Sequence, residues 1–87
     1  MMAKLKIKFE TIEQVKQFNR IMETVKSDTI IRTENRKYAI DAKSIMGIFS
    51  LDLSNYLILE VYGHEDGLTE KIDNIGVYIE TIEAVEV

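Results

Sequence analysis

Between Lys4 and Phe9 the chain alternates without a fault: Lys4, Leu5, Lys6, Ile7, Lys8, Phe9. A period of two sends Leu5, Ile7 and Phe9 to one face of a β-strand and the three lysines to the other. A strand with one dry and one wet face belongs to an antiparallel or mixed sheet covered on one side only. The pattern returns downstream. Thr29 to Thr33 is β-branched, and Arg36 to Ala42 places Tyr38, Ile40 and Ala42 on one face. Tyr56 to Tyr62 sets Leu57, Leu59 and Val61 against Tyr56, Ile58, Glu60 and Tyr62. Glu34, Asn35 and Arg36 read as a hairpin turn, with Asn35 the residue suited to left-handed backbone.

Between these strands the period changes. Thr11 and Gln14 fit a capping box, and Val15, Phe18, Met22 and Val25 then recur at steps of three and four, with Ile21 alongside. One apolar stripe of that kind predicts a helix of about 15 residues. Glu13 in its first turn suits the positive end of the helix dipole. Ser44 is placed to cap a second, short helix in which Ile45, Ile48 and Leu51 turn inward and Met46 and Phe49 share another face. Gly63 to Gly67 is a turn bracketed by glycines. From about Thr69 a final helix is expected, with Ile72, Ile75, Ile79 and Ile82 on one stripe and Gly76 inside it, letting a neighbour approach closely. The expected order is β-α-β-β-α-β-α: one α+β domain over residues 1–87, a two-layer open-faced sandwich.

A chain of 87 residues supports one modest core. It has no cysteine, which excludes disulfides and cysteine-based zinc sites and suits a reducing compartment. With 15 acidic against 11 basic residues the net charge is −4, a balance that repels nucleic acid and anionic membranes. Lys4, Lys6 and Lys8 are accordingly a solvated strand face. No apolar run approaches the roughly 20 residues of a membrane span, and no signal-peptide apolar region is present. These features predict a soluble, cytoplasmic protein that binds neither nucleic acid nor membrane. Catalytic patterns are missing too: there is no glycine-rich phosphate loop and no serine with a histidine on a plausible turn. The carboxylates Glu10 with Glu13, and Glu65 with Asp66, read as solvated surface. The only histidine, His64, neighbours Glu65 and Asp66, but three consecutive residues do not converge easily on one ion. No enzyme activity, cofactor or metal is expected.

The segment from Lys43 to Leu51 remains. It crowds Ile45, Met46, Ile48, Phe49 and Leu51 around Gly47, and a short amphipathic helix buries only about half of such a set. The rest forms an exposed apolar patch, the property of a protein-docking surface. Ser44-Ile45-Met46-Gly47, followed by an apolar pair and Ser50-Leu51, resembles the second-helix segment of the histidine-containing phosphocarrier (HPr) family, including its catabolite-repression relatives. The resemblance covers nearly the whole chain as a pattern of elements. In residue identity it is carried by Tyr38 to Leu51.

That resemblance implies a four-stranded, antiparallel-type sheet with three helices on one face. It also implies a phosphoryl-accepting histidine between the first strand and first helix, followed closely by arginine and proline. Here Phe9 to Val15 contains neither histidine nor arginine, the chain has no proline, and Glu13 stands near the histidine's place. Without the nucleophile, histidine phosphocarrier activity is not expected. Ser44 matches the regulatory phosphorylation site of the family, whose catabolite-repression members likewise lack the histidine. Ile45, Met46 and Phe49 match its partner-docking surface. The implied partners are an HPr-type serine kinase or a transcriptional regulator, in sugar and carbon catabolite control. Leu51 to Asn55 departs from the family, which usually has a glycine and a lysine there, and Asp52 adds negative charge. From the residues alone, Ser44 also reads as a plain helix cap, and the apolar set as core packing. The alternative function is an orphan structural or adaptor domain that keeps the fold without phosphorylation.

Overall fold

Strand β1 (Met2–Lys8) lies inside the sheet, paired antiparallel on both sides, in the computed structural model, which describes residues Met2–Val85. After it come α1 (Ile12–Glu23), β2 (Asp28–Thr33), β3 (Ala39–Asp41), α2 (Ile45–Phe49), β4 (Leu57–Tyr62), α3 (Leu68–Asn74) and β5 (Tyr78–Val85). One sheet results, in the order β3-β2-β4-β1-β5, and every neighbouring pair is antiparallel. The architecture is α+β, with the apolar side of the sheet under the three helices. Leu5 and Ile7 of β1, Ile31 of β2, and Leu57, Leu59 and Val61 of β4 are buried there. Val15, Phe18 and Met22 of α1, Ile48 of α2, and Leu68 and Ile72 of α3 meet them in one core. Phe9, just past β1, stands edge-on to Phe18 with ring centroids 5.1 Å apart.

The sheet has five strands, not four, and the chain ends the described region in a strand rather than a helix. The isoleucines at 72, 75, 79 and 82 are spaced as on a helix, which is why the sequence suggests one. Gly76 divides them. Its φ of 85° lies in the left-handed region, and its N–H closes on the Asp73 carbonyl at 2.9 Å, ending α3. It is therefore the residue that stops the helix, not a small residue within it. Beyond it the β-branched, aromatic run takes the strand option, with Ile7 opposite Ile79 and Lys6 opposite Glu80. Ile82 sits where the register slips between Lys4 and Leu5 and is exposed. Because a side chain at left-handed φ is strained, Gly76→Ala is expected to cost about 1–2 kcal/mol. A lower urea midpoint at unchanged slope would register that loss.

Smaller expectations also shift. α1 has 12 residues and stops before Val25, which is nevertheless buried. Its capping box forms as read, Thr11 Oγ1 accepting from the Gln14 N–H and Gln14 Oε1 from the Thr11 N–H. In the β2–β3 turn the left-handed residue is Arg36, at φ 61°, and not Asn35. Asn35 serves the turn through its side chain instead, Oδ1 accepting from the Lys37 N–H at 2.9 Å and the Thr33 hydroxyl at 2.7 Å. β3 begins only at Ala39, so Tyr38 stays exposed while Ile40 and Ala42 pack inward.

On the uncovered face, Glu60 is 96% removed from solvent, a burial its alternation does not foretell (4% exposed). Arg32 Nε donates to it at 2.8 Å and the Tyr62 hydroxyl at 2.5 Å, which satisfies the carboxylate and holds the Tyr62 phenol above its ordinary pKa. No helix among the described residues is long and apolar enough to cross a membrane.

Candidate functional site

The turn into α2 is built by short side chains. Asp41 closes it, its Oδ1 accepting from the Lys43 N–H and its carbonyl from the Ser44 N–H, both at 2.9 Å. Ser44 then has extended backbone, φ −94° and ψ 105°, and its Oγ accepts from the Gly47 N–H at 3.1 Å. At the other end the Ser50 hydroxyl donates to the Gly47 carbonyl at 2.6 Å. Gly47 is required for close approach. A Cβ on it would lie 3.1 Å from Ser44 Oγ and 3.3 Å from Ile40 Cβ on β3. One turn of helix, capped by serine at both ends, is thereby pressed onto the edge of the sheet.

That placement sorts the apolar residues. Ile48 is fully buried, and Ile45 and Leu51 are partly buried against the core. Met46 is 76% exposed and Phe49 39% exposed. They lie three apart and project from one face. Ser44 is exposed beside them. Ile45 contributes less to this surface than Met46, since much of its side chain is spent on the core. The residue that fixes the height of α2 has no place in the sequence argument. Asn19 is buried within the apolar stripe of α1, and its Nδ2 donates to the Lys43 carbonyl at 2.9 Å. An amide beside Val15, Phe18 and Met22 is the signal that could have revealed it, because a buried amide requires a partner.

Glu13 is exposed in the first turn of α1. The adjoining loop is closed by Gln14, whose Oε1 accepts from the Glu10 N–H at 2.7 Å while Nε2 donates to the Gly76 carbonyl at 3.1 Å. This segment ties the start of α1 to the turn between α3 and β5.

His64, Glu65 and Asp66 do not converge on one point: the first and last pair, and Glu65 turns away. His64 Nε2 lies 2.6 Å from Asp66 Oδ1. Glu65 Oε2 turns to Ser27, accepting from its hydroxyl at 2.5 Å and its N–H at 3.1 Å. No group of three or more histidine, cysteine or acidic residues suited to a metal occurs among the described residues. The Ser27 hydroxyl, with backbone N–H groups of Ser27 and Lys26 and the charge of Lys43, holds the Glu65 pKa below its ordinary 4.5. A depressed carboxylate pKa adds stability that is complete above the unfolded value and is lost as pH falls through the folded one. Stability should therefore decline below pH 4.5, and Glu65→Gln should flatten that decline in urea titrations at successive pH values.

A cleft of about 770 Å³ opens past the C-terminal end of α2, between the β2–β3 turn and the segment leading to β4. Tyr38, Ile40, Leu51, Asp52 and Tyr56 line it. Lys6 Nζ stands 4.5 Å above the Tyr56 ring, and Tyr78 meets that ring edge-on at 5.4 Å. The cleft joins residues distant in sequence and has no local pattern to announce it. No protein-family model matches the chain, and no curated protein matches it in sequence.

Proposed function

We propose that this chain is a cytoplasmic HPr-like domain that regulates by binding other proteins and has no histidine phosphocarrier activity. Met46 and Phe49 are its docking residues, flanked by Ile45, and Ser44 is its phosphorylation site in carbon catabolite control. The observation that carries this reading is the exposure of Met46 and Phe49 on a helix that opens at an exposed serine. Methionine and phenylalanine suit docking because they bury large area and repack against varied partners. Two features support the HPr likeness: the first seven elements come in the family's order, and the apolar side of the sheet carries all three helices. β5 is an addition to that plan.

Phosphorylation at Ser44 has a direct physical consequence. Its Oγ now accepts from the first turn of α2, and a phosphate there places about two negative charges and three acceptor oxygens against the same turn. The dipole of the turn favours that charge. The charge also changes what can approach Met46, so one modification at the helix start alters the docking face.

The test is incubation of the full chain with an HPr-type serine kinase and ATP, followed by intact-mass measurement. One phosphoryl group is expected on the wild type and none on Ser44→Ala. Phosphoenolpyruvate with the phosphocarrier enzymes should leave no acid-labile phosphate. Modification that persists in Ser44→Ala removes the assigned site. A wild type that binds the kinase without being modified leaves the adaptor alternative.

A further inference from the structure

The two edges of the sheet are unlike. β3, at one edge, is three residues long, whereas β5, at the other, presents eight. Among the described residues no strand pairs with the outer side of β5. Among those same residues, no backbone hydrogen bond from outside the β1–β5 ladder reaches residues 78–85. β5 contains no proline and points no charge into the core, two of the devices by which sheets blunt an open edge. Its unpaired N–H and C=O groups are a template for another strand.

The chemistry of that strand is written in the one already paired with β5. On the uncovered face, Lys4 stands opposite Glu83, Lys6 opposite Glu80 and Lys8 opposite Tyr78, while Leu5 and Ile7 face the core. Glu80 and Glu83 are exposed. An added strand would meet the same acidic side chains from the other side, and opposite charges directly across a strand pair are favourable. The apolar layer continues to this margin as well. Ile75 and Ile79 are only partly buried there, leaving surface for aliphatic side chains of a newcomer. A second copy of the chain is a poorer occupant. Two β5 strands paired about Thr81 and Ile82 would set Glu80 against the other copy's Glu83, and like charges in that position are destabilising.

We propose that the outer edge of β5 binds an extended peptide segment of a partner protein, with lysine or arginine at every second position and aliphatic residues between. Backbone hydrogen bonds supply the pairing, and Glu80 and Glu83 select the basic side chains. The site lies at the edge opposite β3 and is independent of Ser44, Met46 and Phe49.

The probe is a blocked peptide of alternating lysine and valine, titrated into the isotope-labelled full chain with amide shifts as the readout. Shifts centred on residues 78–85, with β3 unmoved, are expected. A peptide of the same composition with its lysines grouped should bind about tenfold more weakly, because its charges lose register with the glutamates. Glu80→Lys with Glu83→Lys should weaken the alternating peptide by about tenfold or more and favour an alternating glutamate–valine peptide instead. Glu80→Gln with Glu83→Gln gives the same direction without reversing charge beside Lys4 and Lys6, should the lysine variant unfold. Three outcomes overturn the proposal: no shift at residues 78–85, equal affinity of the glutamine variant, or β5 shifts that depend on protein concentration without peptide. The last would assign the edge to a second copy.

Discussion

Replacing Met46 and Phe49 together by glutamate is expected to weaken binding to an HPr-type serine kinase by about a hundredfold, some 3 kcal/mol. Most of an interface's energy resides in a few large side chains at its centre. Here those two project while Ile48 behind them is committed to the core. A carboxylate at either position must be desolvated on docking against an apolar surface, which is costly. Titration calorimetry with the purified kinase measures the loss directly. The single variants separate docking from folding. Met46→Glu should change stability by no more than about 0.5 kcal/mol, because the side chain is mostly in water. Phe49→Glu should cost somewhat more, since part of the ring is packed. Equal affinity of the double variant and the wild type would remove this surface.

The largest loss of stability is expected at Phe18. Its ring is fully buried on α1, edge-on to Phe9 and in the middle of the core shared by sheet and helices. Phe18→Ala removes that contact and leaves a cavity, at a cost of about 3–5 kcal/mol. A small domain holds about 5–15 kcal/mol in all, so at unchanged slope the urea midpoint of the variant should fall by about a fifth or more. The consequence extends to α2. Asn19, the next residue, holds the Lys43 carbonyl, and loosening α1 releases the turn on which Ser44 sits. A cost under about 1 kcal/mol would mean that the core closes around the gap.

Strands and the first helix were legible because their signals are local. The alternation of Lys4 to Phe9 and of Tyr56 to Tyr62, and the box formed by Thr11 and Gln14, act over a few residues and name their own element. The last element was not legible. Ile72, Ile75, Ile79 and Ile82 satisfy a helical spacing while Val77, Ile79 and Thr81 satisfy a strand spacing. The choice falls to Gly76 and to the free side of β1, which only the folded sheet provides. Asn35 and Arg36 exchanged roles because an asparagine can serve a turn with its side chain as well as with its backbone.

The α2 face was partly legible. Spacing alone separates Met46 and Phe49 from Ile48, since one turn of helix has only one inward side. The partial burial of Ile45 depends on how closely α2 lies against β3, which Gly47 and Asn19 set from outside the local pattern. The Arg32–Glu60–Tyr62 group on the uncovered face was likewise out of reach. It brings residues 28 positions apart into contact through the β2–β4 pairing, and no periodicity records that.

The chain has four methionines, and two of them make the decisive probe: Met22 is fully buried and Met46 is exposed. With methyl-labelled methionine and a saturating amount of the serine kinase, without ATP, the Met46 methyl signal should shift or broaden while that of Met22 stays in place. A Met46 signal unchanged at saturation, on a chain whose Met22 signal shows it to be folded, would contradict the assignment of α2 as the docking surface.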